Sequence, residues 1–360
     1  MGLDPATPRV SGHAVLHARI ELTLFLLGLI ACLCAASGMK EEASAKKGPG
    51  DIQLYRRVVE RVRAGESYYD AAHGELISRG FPSRSVFNWR TPCYAWFLGR
   101  GPGPVWGRWI LLAGMTGVVV SWCLSSPDDF GLSSAAVGGV FLVGATAWSI
   151  EKDAVYLMEI WAAMLIALSV CAYRRGLTVV GIGSGLLAVF YRELALPYAV
   201  VCLGIAFQKG RKYEVAVWAV GLMLFAAFME CHAVRVRERI SDDDVAMTAG
   251  WLRFGGRRFL LATARTNVFL MPLPPWCTAI YLALATVGLT GGRGESGWRV
   301  GLTAALFLGS FSIVGNPFNF YWGFLNAPLL AIGVAGSPRA LSGLISSALR
   351  LPRSQPCVDP

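Results

Sequence analysis

One aspartate begins the most strongly patterned polar segment of this sequence. Asp51 follows the helix-breaking pair Pro49-Gly50 and precedes the run IQLYRRVVERVR. Aspartate is favoured at the N-cap of a helix, which is the ordinary role of such a residue. A carboxylate held rigidly at that position can also act as a general base for a hydroxyl within hydrogen-bonding reach. The sequence therefore predicts a helix cap or a catalytic base, and the two roles are compatible.

Two arginines lie in turns next to apolar runs, where ionisable residues are costly and are therefore candidates for function. Arg90 belongs to the stretch FNWRTP, in which its planar guanidinium suits a phosphate and Trp89 suits the face of a sugar. The alternative is a turn at the membrane boundary with a belt tryptophan and a snorkelling arginine. Arg192 stands beside Glu193 in YRE, and the alternative is a short turn whose charges pair with each other. A similar charged turn contains Glu151, Lys152 and Asp153.

Metal and cofactor chemistry are not expected from this sequence. The three consecutive acids Asp242, Asp243 and Asp244 point in different directions on a helix or strand, so a solvated loop is favoured over a metal site. Most of the nine cysteines lie inside apolar runs, and no C-x-x-C pair is present. The P-loop, G-x-S-x-G and H-E-x-x-H patterns are also absent from the sequence.

The composition is typical of a membrane protein with many spans. Of the 360 residues, 54% are hydrophobic and 16% are charged, and the mean hydropathy is +0.50. Soluble domains carry about 25% charged residues. The net charge of +10 does not indicate nucleic acid, because the basic residues flank apolar segments. The sequence predicts an all-α bundle of about ten transmembrane helices, at Ile20–Ser37, Val105–Leu124, Gly131–Ile150, Ala154–Tyr173, Leu177–Phe190, Leu194–Phe207, Tyr213–Cys231, Trp276–Leu289, Trp298–Gly315 and Phe320–Gly336.

The distribution of positive charge predicts which side of the membrane each loop faces. With both termini in the cytoplasm, the short basic loops remain inside and the polar turns EKD and YRE face outside. The expected location is the cell (inner) membrane. The predicted division is a leader with the first span at 1–38, an external loop at 39–104, the helix bundle at 105–336 and a cytoplasmic tail at 337–360. The motif LIAC at Leu29–Cys32 offers a cleaved or lipidated first segment as the alternative, but the apolar run is long enough to span the membrane.

The external loop carries an amphipathic helix. Its apolar residues recur at the spacing of one helical face, and Gly65 is expected to end it. A second short helix is predicted at Tyr69–Ser78. Both helices are expected to lie flat on the membrane with their apolar stripes in the outer leaflet. The first stripe consists of Tyr55, Val58, Val59 and Val62.

This layout resembles the GT-C class of integral-membrane glycosyltransferases. The string D-x-x-x-Y followed by GESYY is similar to the first external loop of the bacterial branch related to polyprenyl-phosphate-dependent mannosyltransferases. The matching positions are Asp51, Tyr55, and Gly65 to Tyr68 or Tyr69. The resemblance in detail covers roughly the first quarter of the chain, and the remainder agrees in hydropathy and sidedness.

The resemblance implies a hexosyltransferase that needs no metal and works at the external membrane face. Its donor would be a polyprenyl-phosphate sugar, and its acceptor a hydroxyl of a glycan or lipid. In this class the first acid of the loop is the base, which corresponds to Asp51. The candidates for holding the donor phosphate are Arg192, Arg90 and Lys152. The residues expected to line the substrate pocket are Tyr55, Tyr69, Trp89, Glu193, Glu151 and Asp153.

Two other functions use the same residues. A transporter or flippase for lipid-linked or anionic cargo could also use Arg192 and Glu159. It predicts functional polar residues in the middle of the bilayer with access from both sides, whereas this sequence concentrates them at one face. A non-catalytic membrane scaffold is favoured if Asp51 is a cap alone. The glycosyltransferase hypothesis requires Asp51 and at least one of the three basic candidates to line one external cavity.

Overall fold

A computed structural model of the chain describes residues 12–37, 50–246, 254–292 and 294–349. Within these ranges every regular element is a helix and no β-strand is present. The prediction of an all-α protein is therefore confirmed for the part of the chain that the structure describes. The α-helices in these ranges are α1 (Gly12–Ser37), α2 (Asp51–Arg63), α3 (Tyr68–Ser78), α4 (Cys93–Gly99), α5 (Gly103–Phe130), α6 (Leu132–Thr146), α7 (Met158–Arg174), α8 (Thr178–Tyr191), α9 (Leu196–Gln208), α10 (Lys212–Arg237), α11 (Gly256–Ala264), α12 (Pro275–Thr290), α13 (Gly294–Ile313) and α14 (Ala327–Ala348). Short 3₁₀ helices lie at Val86–Asn88, Ala147–Ile150, Ala154–Tyr156, Glu193–Ala195 and Pro317–Leu325.

Each of the ten predicted spans overlaps one of these helices, but the helices differ in length and not all of them are long enough to cross a membrane. Within the described ranges, five helices are long and apolar enough to cross a membrane, and three shorter apolar helices have 10–17 residues. The shorter ones are Thr178–Tyr191, Glu193–Gln208 and Pro275–Thr290. The five longer ones are Val15–Ser37, Gly103–Ser125, Leu132–Ile150, Lys212–Arg237 and Ala327–Ala348. The last of these continues past Pro338, so its final turns lie in the segment that was assigned to the tail.

Helix α7 occupies the centre of the bundle. It packs against α5, α8 and α13 and also contacts α14, and most of its side chains are buried. On the far side of α14, the helices α6 and α12 complete the layer. The contact between α12 and α14 is close because it is made by glycines: a β-carbon on Gly288 would lie 1.8 Å from the carbonyl oxygen of Gly333. This backbone contact fixes the position of α14 and of the 3₁₀ segment that precedes it.

The amphipathic helix α2 is present, but protein rather than lipid covers its apolar stripe. Leu54, Tyr55, Val58, Val59 and Val62 are at most 5% exposed within the chain. They form one core cluster with residues of α3, α4 and the start of α7. The prediction that this stripe lies in the outer leaflet is therefore wrong. Helical periodicity identifies the face that is buried without specifying which material buries it.

The end of α2 follows the sequence prediction. Gly65 has a φ of +100°, its N–H donates to the carbonyl of Val62, and the N–H of Glu66 donates to the carbonyl of Arg61. This is a Schellman motif, which satisfies carbonyls that the helix end leaves unpaired. Arg61 then binds both carboxylate oxygens of Glu66 at 2.6 Å, so the turn into α3 is fixed. Helix α3 begins at Tyr68, one residue before the predicted start.

The segment 238–246 docks onto α3. His73 Nε2 lies 3.1 Å from Asp244 Oδ2, and the N–H of Ser83 donates to the carbonyl of Val245 at 2.9 Å. Asp242 and Asp243 are exposed while Asp244 is buried. In the described part of the chain, no three or more His, Cys, Asp or Glu side chains are grouped to hold a metal ion. The acid triplet therefore serves as an exposed turn with one docking residue.

Candidate functional site

Asp51 is the first residue of α2 and not its N-cap. The cap is Gly50, in an extended conformation and with no side-chain cap hydrogen bond. The predicted N-cap role of Asp51 is therefore wrong by one position, because glycine is also accepted at an N-cap and Gly50 takes that position. A carboxylate in the first turn is still favoured by the helix dipole. Because it does not cap the helix, Asp51 accepts a hydrogen bond from Tyr321 instead, at 2.7 Å between the hydroxyl and Oδ2.

The hydroxyl of Tyr321 connects Asp51 to a guanidinium. Arg90 Nη2 donates to this hydroxyl at 3.2 Å, and Arg90 Nε donates to the hydroxyl of Tyr55 at 2.8 Å. Tyr55 lies one helical turn after Asp51 on α2. We call these four residues, Asp51, Tyr321, Arg90 and Tyr55, the Asp51–Arg90 network. It places a carboxylate and a guanidinium on the two sides of one phenol.

The charge of Arg90 is held by phenols rather than by a salt bridge. Among the described residues, no carboxylate lies within ion-pair distance of its guanidinium, although Glu159 and Glu193 are near enough to favour the charged form. Burial raises the pKa of Tyr55 above its ordinary value, against the opposing effect of Arg90. The Tyr55 hydroxyl is therefore neutral at physiological pH and accepts from Arg90 without cancelling its charge. A guanidinium without a direct counter-ion is suited to bind an anion.

Arg192 is in a different environment from Arg90. It is 1% exposed, and its Nε donates to Glu159 Oε1 at 2.8 Å, while its Nη1 bonds Glu193. The predicted alternative, that the YRE charges pair with each other, is thus observed together with a second carboxylate from α7. Two carboxylates already engage this guanidinium, so its first role is to hold the ends of α7 and α8 together.

The two arginine environments are adjacent. The hydroxyl of Thr91 donates to the carbonyl of Phe190 at 3.1 Å, which fixes the residue after Arg90 against the end of α8, just before Arg192. The hydroxyl of Tyr68 donates to the carbonyl of Arg90, so the backbone of Arg90 is also held by α3. The Asp51–Arg90 network therefore lies where α2, the segment around Arg90 and the 3₁₀ helix Pro317–Leu325 meet the start of α7 and the end of α8.

Several predicted pocket residues lie beside the network without joining it. Trp89 is buried, donates to the carbonyl of Ser83 at 2.8 Å, and stacks on His73 with ring centroids 5.6 Å apart. One face of its ring is therefore already covered. The hydroxyl of Tyr69 lies 3.3 Å from His232 Nδ1, and burial raises the pKa of Tyr69 to about 12.

The charged turn EKD lies elsewhere. Glu151 and Lys152 are exposed, and the N–H of Lys152 donates to the Glu151 carboxylate at 3.1 Å. Asp153 lies near Arg56 and Tyr156. No contact within the described ranges joins Lys152 to the Asp51–Arg90 network. Of the three basic candidates, the structure brings Arg90 and Arg192 to this region.

Sequence reasoning did not include two residues of this region among the site candidates. Tyr321 comes from the 3₁₀ helix Pro317–Leu325. Glu159 was named in the sequence analysis for a transporter alone, and it is 0% exposed. Its Oε2 atom and the Oε2 atom of Glu193 have no hydrogen-bond partner among the described residues. Buried polar atoms of this kind call for an explanation.

Two cavities of about 510 and 460 Å³ lie at the other end of the bundle, next to Tyr173 and Arg174 at the end of α7. Glu159 is at the beginning of the same helix, so roughly 21 Å of helix separates the cavities from the network. We call them the far-end cavities. Asp51, Arg90 and Tyr321 are half-buried, so the network itself reaches the surface of the chain.

Comparisons with known proteins add the following. No family model matches the chain. A UPF0060 membrane protein from Gluconacetobacter diazotrophicus is 41% identical over 59 residues, which is 16% of this chain and 50% of that protein. Two crystal structures of ArnT from Cupriavidus metallidurans are similar in fold, each with 16% identity over 90% of this chain. The TM-score is 0.49 for the one bound to undecaprenyl phosphate and 0.41 for the apo state. The chain spans 62% of the length of each of these structures.

Proposed function

We propose that this chain is a membrane glycosyltransferase of the GT-C type, which moves a sugar from a polyprenyl-phosphate donor to an acceptor hydroxyl. The observation that carries the proposal is the position of the Tyr321 hydroxyl between Asp51 and Arg90, at 2.7 and 3.2 Å. A base and an anion-binding group on either side of one hydroxyl match what this reaction requires. The resemblance of the first loop to this class supports the same function.

In the proposed reaction, Asp51 takes the proton from the acceptor hydroxyl as its oxygen attacks the anomeric carbon of the sugar. The bond between that carbon and the phosphate oxygen breaks, and the leaving lipid phosphate keeps the electron pair. Arg90 stabilises the negative charge that develops on this phosphate. Tyr55 and Tyr321 hold Arg90 and Asp51 in place, so little rearrangement is needed during the reaction.

Arg90 is the preferred phosphate-binding residue among the three basic candidates. It has no direct counter-ion in the described part of the chain, whereas Arg192 is engaged by Glu159 and Glu193. Lys152 lies in a separate exposed turn. Arg192 is therefore proposed as a positioning residue, with Glu193 next to the substrate. We also propose that the lipid part of the donor is of the undecaprenyl-phosphate type and that the transfer takes place at the external face of the cell membrane.

The test is direct measurement of sugar transfer. Purified protein is incubated with labelled polyprenyl-phosphate sugars and a panel of glycan and lipid acceptors. Asp51→Asn preserves the shape of the side chain and removes the base, so we expect transfer to fall by about 10²–10⁴-fold. Asp242→Asn, in an exposed turn, is the matched control. Full activity in Asp51→Asn would exclude the base assignment, and a wild-type protein that transfers none of the donors would contradict the function.

A further inference from the structure

The larger far-end cavity combines helix N-termini with basic side chains. Its wall includes Gly176 and Thr178 before and at the start of α8, Lys212 at the start of α10, and Glu295 in the first turn of α13. Neither α8 nor α10 has a side-chain cap hydrogen bond at its N-terminus. Uncapped N-termini carry partial positive charge and N–H groups that need acceptors, which favours the binding of an anion between them.

A buried arginine gives a second, independent indication of an anion. Arg299 lines this cavity and is 1% exposed. One of its terminal nitrogens, Nη2, binds Glu295 at 3.2 Å, and its guanidinium lies 3.6 Å from the centre of the Tyr173 ring. Its Nε atom has no hydrogen-bond partner among the described residues. A buried guanidinium that is not fully satisfied is expected to recruit an acceptor.

The acids that line the same cavity are already engaged. Glu214 accepts from the hydroxyl of Tyr173 at 2.7 Å and from Arg211 at 3.3 Å. Glu295 binds Arg211 through both oxygens, at 2.7 and 2.6 Å. Lys212 is exposed and has no ion pair within the described ranges. The lining therefore carries three basic side chains against two acids, a net charge of +1. Arg299 Nη2 also lies 3.9 Å from Glu214 Oε1, so Lys212 is the basic residue of this wall that no acid engages within the described ranges.

The smaller far-end cavity provides an apolar space beside this charge. The two cavities share Glu295 and Ser296 as wall residues. The second is lined by glycines and by apolar side chains, among them Val170, Leu289 and Ile332, and its wall also includes Arg174 and Arg339. A basic cavity adjoining one whose wall is mainly glycine and apolar side chains is complementary to a molecule with an anionic head and a hydrocarbon tail.

We propose that the far-end cavities bind an anionic phospholipid, with its phosphate near Lys212 and Arg299 and an acyl chain in the smaller cavity. Basic pockets between membrane helices bind lipid head groups in this way. The proposal is independent of sugar transfer, because these cavities lie at the opposite end of α7 from Asp51.

The test uses the full chain in lipid nanodiscs that contain equal amounts of phosphatidylglycerol and phosphatidylcholine, with retained lipids identified by native mass spectrometry. We expect phosphatidylglycerol to be enriched in the wild type. Lys212→Gln should reduce the enrichment roughly fivefold, which corresponds to the loss of one basic contact with the head group. Arg299→Gln should reduce it at least as much. The matched control is Arg237→Gln, an exposed arginine at the other end of the same helix α10.

A second arm offers inorganic phosphate alone to the detergent-purified protein. Phosphate adducts without any enrichment of phosphatidylglycerol would overturn the lipid as occupant. Equal enrichment in the wild type and in Lys212→Gln would overturn the site, and because Lys212 is exposed, this variant keeps the test valid if Arg299→Gln does not fold. Lipid retention is measured without sugar transfer, so a failure here and a failure of the proposed transferase are separate results.

Discussion

The hydroxyl of Tyr321 donates to Asp51 across 270 residues of sequence, at 2.7 Å. The same oxygen accepts from Arg90 at 3.2 Å. The segment just before α14 therefore sets the separation of a carboxylate and a guanidinium that both come from the segment between α1 and α5. The site is assembled by the packing of α2 and the 3₁₀ helix Pro317–Leu325 against the start of α7, and three predictions test this arrangement.

Removing the Tyr321 hydroxyl should slow transfer without unfolding the protein. Tyr321→Phe removes one hydrogen bond to a charged carboxylate and one from a charged guanidinium, and bonds of this kind contribute about 1.5–3 kcal/mol. We expect kcat/KM to fall by roughly 10–100-fold while the thermal unfolding temperature changes little. Tyr213→Phe, at an exposed position of the far end, should retain wild-type activity. Unchanged transfer in Tyr321→Phe would show that the phenol is not needed.

Arg90 should be sensitive even to a conservative change. Arg90→Gln removes the charge and should raise the KM for the donor, with a loss of roughly 10–100-fold in kcat/KM. Arg90→Lys keeps the charge but cannot bond Tyr55 and Tyr321 together, because an ammonium lacks the planar fork. It should therefore restore activity only in part. Arg84→Gln, an exposed arginine of the same loop, is the control, and a fully active Arg90→Gln would contradict the assignment.

Arg192 should be required for stability more than for binding. Its removal leaves Glu159 buried without its counter-ion, and breaking such a pair costs about 3–5 kcal/mol. Arg192→Gln should therefore lower the unfolding temperature in detergent far more than Arg90→Gln does. The exposed Arg175→Gln provides the reference value. A stable Arg192→Gln that has lost donor binding would instead assign the phosphate to Arg192.

The features that the sequence predicted well are those that depend on neighbours in the chain. The apolar stripe of α2 follows from helical periodicity. The end of the helix at Gly65 follows from the ability of glycine to adopt a positive φ. Both features depend only on residues close together in the sequence. The N-cap was misplaced because Gly50 and Asp51 are both acceptable there. The prediction that lipid covers the stripe was also wrong, because an apolar face can pack on either lipid or protein.

The rest of the site depends on contacts between distant segments. The pairing of Tyr321 with Asp51 requires the path of the whole chain, so no local pattern could predict it. Arg90 and Arg192 were equivalent as basic residues near apolar runs, and they differ because α7 brings Glu159 to one of them. The sequence could therefore predict that both positions carry a basic residue of possible function. Deciding which of the two is free to bind a phosphate required the tertiary structure.

The last prediction concerns pH and the docking of segment 238–246 on α3. Burial raises the pKa of Asp244, but the backbone N–H of Ser241 and the ring of His73 bond its carboxylate, and the net pKa lies below the ordinary value. A lowered pKa in the folded state means that the carboxylate stabilises the fold above its ordinary pKa of ~3.9. This contribution is lost as the pH falls through the folded-state pKa.

Asp244→Asn should therefore lower the unfolding temperature near neutral pH, by the equivalent of about 1.5–3 kcal/mol for a charged hydrogen bond. The difference from the wild type should persist down to about pH 4, decline below it, and vanish once the pH falls below the lowered folded-state pKa, where the wild-type carboxylate is protonated as well. Unfolding measured by intrinsic fluorescence across this range checks both points. Asp242→Asn, with an exposed carboxylate in the same turn, should show no such pH dependence. A difference that stays constant into strong acid would mean that Asp244 acts by its shape and not by its charge.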